Sequence, residues 1–240
     1  MARPDLKPKE RIILALDFSE LRIAKFWVEN LKHKIKTFKV GPILFLDAGP
    51  IGIKEFRNMG ADVFLDLKFH DIPSTVEHSG RQAVRYGVKM FTVHALGGFE
   101  MMKVVSDAVA DEAAKHKRHK PMVLAVTVLT SHDEASLKRI GINTSTRDTV
   151  LSLASLADKA GVDGLVCSGM EVEMLRKEFG ERFTLVVPGI RPGGGAHDQK
   201  RVTTPAQAVA SGADYLVIGR AITEAENPDL VVDEIVKSIS

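Results

Sequence analysis

Three charged residues stand close together in one short segment: Asp66, Lys68 and Asp71. The first two lie in the run Val63-Phe64-Leu65-Asp66-Leu67-Lys68-Phe69, whose apolar residues read as a buried strand. Side chains alternate across a strand, so Asp66 and Lys68 are expected on one side and Leu65 and Leu67 on the other. An aspartate and a lysine in such a strand are costly to desolvate unless paired. Two more charges of this kind occur: Asp17 at the end of the first predicted strand and Lys39 inside the second. The set is either a salt-bridge network closing one end of a sheet or an alternating Lys/Asp array facing a ligand. Fixed charges at strand ends suit electrostatic catalysis, because they reorganise little during a reaction.

A second group has the chemistry of anion binding. Val187-Pro188-Gly189-Ile190-Arg191 is followed by Pro192-Gly193-Gly194-Gly195-Ala196-His197-Asp198-Gln199, and Val217-Ile218-Gly219-Arg220 comes later. Glycine lets a backbone approach a ligand closely, and arginine offers phosphate a two-pronged donor. The glycine run after Arg191 reads as a mobile lid or as a plain surface loop. Other residues say less. His94 ends the fourth strand and reads as catalytic or, by preference, as a satisfied core or supporting histidine, and Cys167 as an inert buried thiol. No His, Cys and carboxylate spacing suggests a zinc site, so neither metal nor cofactor is expected.

These residues need elements to hold them. Apolar β-type runs recur at Arg11–Phe18, Thr37–Val40, Asp62–Phe69, Met90–Ala95, Met122–Leu129, Gly164–Cys167, Thr184–Pro188 and Tyr215–Gly219. Helical stripes lie between them, such as Leu21, Ala24, Val28 and Leu31. Four helices stop in a similar turn before the next strand: Gly60-Ala61-Asp62, Gly87-Val88-Lys89, Gly161-Val162-Asp163 and Gly212-Ala213-Asp214. Alternating strands and helices predict a parallel sheet. The count of strands, with charged or glycine-rich segments at so many of their C-terminal ends, favours a closed (β/α)8 TIM barrel over an open sheet. No Gly-x-Gly-x-x-Gly follows the first strand, which argues against a dinucleotide fold. The anion-binding segments follow the seventh and eighth strands, a frequent phosphate site in barrels. The connection from Thr130 to Asp163 is long enough for a short extra helix before the main one.

Composition narrows the class further. The chain has 240 residues, 45% hydrophobic, which suits one barrel domain over residues 1–240. A formal net charge of +2 gives no general affinity for nucleic acid. The basic run from Lys115 to Lys120 reads as a solvated turn before a strand. No apolar run is long enough to span a membrane, and the polar start lacks a signal peptide's apolar stretch. With one cysteine there is no intrachain disulfide, and a cytoplasmic location is expected.

Taken together, the residues resemble orotidine 5′-phosphate decarboxylases along essentially the whole chain. The most specific element is Asp66-Leu67-Lys68-Phe69-His70-Asp71-Ile72-Pro73-Ser74-Thr75, which is similar to that family's D-x-K-x-x-D-I-P-x-T pattern. Leu14-Ala15-Leu16-Asp17, Phe38-Lys39-Val40-Gly41, Val93-His94-Ala95, Leu129-Thr130-Ser131, Pro188-Gly189-Ile190-Arg191, Asp198-Gln199 and Ile218-Gly219-Arg220 follow in the family's order. The resemblance implies conversion of orotidine 5′-monophosphate to uridine 5′-monophosphate and carbon dioxide, in a homodimer with shared sites. It assigns Lys39, Asp66, Lys68 and Asp71 to the charged array, with Lys68 protonating C6. Asp71, Ile72 and Thr75 would come from the neighbouring subunit. Asp17 and Lys39 would hold ribose hydroxyls, and Thr130 would face the pyrimidine. Arg191, Gln199, Gly219 and Arg220 would bind the phosphate or close the lid, and Pro188 would line the substrate site. The nearest rival is a magnesium-dependent phosphosugar decarboxylase or aldolase, related to hexulose phosphate synthase. Those enzymes share the Asp-x-Lys-x-x-Asp strand but place a metal-ligating glutamate where this chain has Lys39. A non-catalytic phosphonucleotide-binding protein is a further alternative. The intact Asp66, Lys68 and Asp71 argue against it, since binding alone needs no buried carboxylate beside an anion.

Overall fold

The computed structural model describes residues 5–193 and 203–240. Eight parallel strands close into a barrel in chain order. They are β1 (Ile12–Ala15), β2 (Thr37–Val40), β3 (Asp62–Phe69), β4 (Met90–His94), β5 (Met122–Val126), β6 (Gly164–Val166), β7 (Thr184–Val187) and β8 (Tyr215–Ile218). The last strand pairs back on the first through Ile12↔Leu216 and Ile13↔Val217. The helices outside the sheet are α1 (Leu21–Leu31), α2 (Pro42–Asn58), α3 (Pro73–Tyr86), α4 (Gly98–Lys115), α5 (Glu134–Arg139), α6 (Thr146–Lys159), α7 (Val172–Phe179), α8 (Pro205–Ala210), α9 (Arg220–Thr223) and α10 (Pro228–Ser238). The extra helix expected after Thr130 is α5. Its N-terminus is capped by Asp133, which accepts from the Ser136 N–H at 2.9 Å.

Every residue of β1, β2, β7 and β8 is buried, which is why these segments are mostly apolar, with Lys39 of β2 the charged exception. Alternation along the strands sends side chains to two cores. Ile13, Phe64, Met90, Leu124, Val186 and Tyr215 fill the barrel interior as a solid floor. Ile12, Leu14, Phe38, Val63, Phe91 and Val123 belong to the larger core between sheet and helices.

The repeated turns before strands have a common physical role. Their glycines, at positions 60, 87, 161 and 212, all have positive φ, as a left-handed helix stop requires. The charged residue two places on then ties the foot of one strand to its neighbours. Asp163 accepts from the Val123 N–H at 2.9 Å and from Lys120 Nζ at 2.7 Å. Asp214, fully buried, accepts from the Leu185 N–H at 2.8 Å and from Arg176 at 2.7 Å. Lys89 donates to Asp62 at 3.1 Å and to Thr37 at 3.2 Å. The basic run before β5 is an exposed turn as expected, except that Lys120 is drawn into this set of clamps.

Several strands are shorter than the sequence predicts. β1 ends at Ala15 and not Phe18, β4 at His94 and not Ala95, and β5 at Val126 and not Leu129. β6, β7 and β8 end one residue early, at Val166, Val187 and Ile218, and β1 begins at Ile12 instead of Arg11. Apolar character outlasts strand pairing because residues past the strand ends, such as Leu16, Val128 and Cys167, remain buried. Asp17 therefore lies in the loop after β1 and does not end the strand.

Replacing Asp214 by alanine leaves Arg176 without its carboxylate and Leu185 N–H without its acceptor. The expected cost is about 3–5 kcal/mol, which lowers Tm by roughly 10 °C in a chain of this size. Calorimetry checks this, and a shift of less than about 2 °C would sink the clamp's role.

Candidate active site

The C-terminal ends of the strands surround a cavity of about 870 Å³. Asp17, Lys39, Asp66, Lys68, Thr130, Pro188, Arg191, Gly219 and Arg220 all line it. Residues scattered along the sequence thus converge because a closed barrel gathers its strand ends around one mouth.

The charges on one wall alternate in sign. Lys39 Nζ lies 2.8 Å from Asp17 Oδ1 and 3.7 Å from Asp66 Oδ2. Lys68 Nζ lies 2.9 Å from each oxygen of Asp66. Burial is graded along this series. The side chains of Lys39 and Asp66 are 10% and 12% exposed, that of Lys68 34% and that of Asp17 55%. The inner carboxylate is therefore held between two ammonium groups, and the Lys68 head reaches the open space of the cavity. Gly41 makes room for this packing: a Cβ there would stand 3.1 Å from Lys39 Nζ and 3.3 Å from Asp17 Oδ1.

Asp66 and Lys68 share a side, as alternation predicts, but the route differs. Leu65 pairs with Phe91 and Phe69 with Val93, so β3 bulges against β4 across the charged segment. Lys68 has φ 50°, in the left-handed region that a lysine seldom occupies. Its N–H donates to Thr92 Oγ1 at 2.9 Å, and the Thr92 hydroxyl donates to Asp66 Oδ1 at 3.0 Å. Thr92 is not among the residues that the sequence singles out. Its signal was the one that exposed Asp66, a polar residue inside an apolar strand. Nor does the sequence single out the apolar cavity wall of Phe18, Val126, Val128, Val166 and Val217, which in sequence is indistinguishable from core.

Three residues are not brought to the mouth by their own chain. Asp71, Ile72 and Thr75 are exposed at the start of α3, with Ile72 64% exposed. Asp71 Oδ1 accepts from the Ile72 N–H at 2.7 Å. Gln199, with Gly194, Gly195, His197 and Asp198, lies outside the described residues. His94 is a supported histidine, as expected. It stacks on His70 with ring centroids 5.2 Å apart, and its Nδ1 accepts from the Leu96 N–H at 3.3 Å. Burial, helped by the charges of His70, Lys68 and His132, lowers His94 to about 4, so its ring is neutral at pH 7. Cys167 is buried, and desolvation, with Glu171 adding to it, pushes its thiol well above the ordinary range. It is unavailable as a thiolate nucleophile.

Among the described residues no group of three or more His, Cys, Asp or Glu could hold a metal ion. None of their helices is long and apolar enough to cross a membrane.

Comparison with known proteins bears on the site. The sequence model of the orotidine 5′-phosphate decarboxylase / HUMPS family matches residues 10–235. The chain is 47% identical over 232 residues to an orotidine 5′-phosphate decarboxylase of Geobacter sulfurreducens, covering 95% of this chain and 96% of that one. It is 48% identical over 231 residues to the enzyme of that name from Pseudoalteromonas translucida, covering 96% and 97%. The crystal structure of orotidine 5′-phosphate decarboxylase from Lactobacillus acidophilus superposes with a TM-score of 0.84 at 35% identity, over 96% of this chain and 99% of that one. Matched over nearly its full length by both sequence and backbone, the chain belongs to the orotidine 5′-phosphate decarboxylase / HUMPS family.

Proposed function

We propose that this protein decarboxylates orotidine 5′-monophosphate to uridine 5′-monophosphate, using an alternating Lys/Asp array without a metal. The observation that carries this reading is the series Asp17, Lys39, Asp66, Lys68 on one wall of a cavity that also contains Arg191, Gly219 and Arg220. A nucleotide would place its phosphate on the arginine side and its base beside Lys68. Asp17 and Lys39 would hold ribose hydroxyls, and Thr130 would face the base. Pro188 lies beside the phosphate-binding turn, and Gln199 would complete the closed site.

The chemistry makes demands that these residues fit. Losing carbon dioxide from C6 leaves a carbanion that no carbonyl or iminium is placed to absorb. The barrier to be lowered is therefore large, toward the upper end of the ~8–23 kcal/mol that enzymes supply. Repulsion between Asp66 and the substrate carboxylate gives only about 4 kcal/mol at ~4 Å and an effective dielectric near 20. The larger share falls to the Lys68 ammonium, preorganised beside the developing charge and able to protonate it. Phosphate binding far from the reacting carbon supplies the energy that orders the site and excludes water.

The rival use of this family's barrel requires a divalent cation. Here the Lys39 ammonium stands between the carboxylates of Asp17 and Asp66, and a cation there would be repelled. The exposed positions of Asp71, Ile72 and Thr75 support a homodimer in which they complete the neighbour's site. Exposed Leu46 and Ile43, at the start of the adjoining α2, offer apolar surface for the same contact. A biosynthetic role on a small anionic nucleotide accords with a cytoplasmic location and calls for neither nucleic acid nor membrane.

Loss of orotidylate absorbance on adding the purified protein tests the reaction directly, and full activity in excess EDTA is expected. A requirement for magnesium would favour the phosphosugar reading. Lys68→Ala is expected to lower kcat by roughly 10³-fold or more while product-nucleotide binding persists; near-normal turnover would refute the proton-donor role. Arg220→Ala should raise KM on the order of 10–100-fold, and an unchanged KM argues against phosphate binding there. Mixing inactive Asp71→Ala and Lys68→Ala chains should restore activity through hybrid dimers. No recovery, despite demonstrated subunit exchange, would count against a shared site.

A further inference from the structure

The geometry points to Thr92 as a positioning residue for decarboxylation, acting through Asp66 and Lys68 without touching substrate. This inference rests on the function proposed above and adds to it a residue that the family pattern does not assign.

Thr92 is fully buried inside the barrel, two places along β4 from the floor residue Met90. Its hydroxyl makes two bonds of opposite sense. It accepts from the Lys68 N–H at 2.9 Å and donates to Asp66 Oδ1 at 3.0 Å. A carboxylate can only accept and a backbone N–H can only donate, so the hydroxyl's orientation is fixed. One oxygen atom thus joins the backbone of the catalytic lysine to the head group of the catalytic aspartate.

Both partners need an external hold. The Lys68 backbone sits at φ 50°, a conformation disfavoured for any residue with a side chain, within the bulge where β3 and β4 fall out of step. The bond to Thr92 anchors that conformation to the regular part of β4, where Thr92 is in register with Leu124 of β5. Asp66 faces lysines on both sides, at 2.9 Å and 3.7 Å, and either could draw its carboxylate round. A buried neutral donor on Oδ1 selects one rotation of the carboxylate and leaves both oxygens facing Lys68 Nζ. A shift of a fraction of an ångström at either group would misplace the ammonium that must meet C6.

Thr92→Val keeps the branched shape and deletes the hydroxyl; Thr92→Ser keeps the hydroxyl and deletes the methyl. The valine variant is expected to lose roughly 10–100-fold in kcat. Its KM should stay within about threefold, because the phosphate contacts are elsewhere. The serine variant should recover to within about threefold of wild-type kcat. A crystal structure of Thr92→Val should show the Asp66 carboxylate rotated or Lys68 Nζ withdrawn from it. Valine turnover close to wild type, a serine variant as slow as valine, or an unchanged Asp66–Lys68 geometry in the valine crystal would each overturn the positioning role. A wild-type protein inactive on orotidylate would instead sink the function, and the crystallographic comparison would still decide the role of Thr92.

Discussion

The structure of the mouth depends on one electrostatic condition: a carboxylate, Asp66, almost removed from water and held between two lysines. Left alone at that depth it would be strongly destabilising. Lys39 and Lys68 pair with it and offset that cost, and Asp17 in turn balances Lys39. Three features around it help to keep four charges in fixed order. The glycine at 41 lets the Lys39 head pack closely, the bulge in β3 turns Lys68 toward the cavity, and Thr92 braces both.

A site of this kind needs a frame whose stability comes from elsewhere. The floor of Ile13, Phe64, Met90, Leu124, Val186 and Tyr215 and the clamps at the strand feet provide it. The division matches the general division of labour in such barrels, with stability at the N-terminal end of the strands and chemistry at the other. Strain at Lys68 and incomplete pairing occupy one end of β3, while at the opposite end Lys89 ties Asp62.

The sequence made the barrel legible because buried parallel strands announce themselves as apolar runs, and the glycine turns mark where each helix stops. It overran the strand ends, since Leu16, Val128 and Cys167 are as buried past the ladder as within it. Charges inside apolar runs exposed Asp66, Lys68 and Lys39 for a physical reason: nothing but function or pairing justifies their desolvation. Thr92 carried a weaker form of the same signal, because a threonine is at home in any strand. The bulge was not visible at all. Alternation gave the correct side for Lys68 by a geometry the strand does not have. The cross-subunit roles proposed for Asp71, Ile72 and Thr75 came only from family resemblance, and their exposure is what a single chain can add.

The solid floor has a consequence for traffic. Among the described residues the chamber is packed shut at its base, so in the proposed reaction a small gaseous product and the bulky nucleotide would leave by the doorway through which the reactant came. If the sugar and phosphate seat as proposed, with the arginines between the array and the opening, whatever is freed first would have to slip past them or wait for them to go.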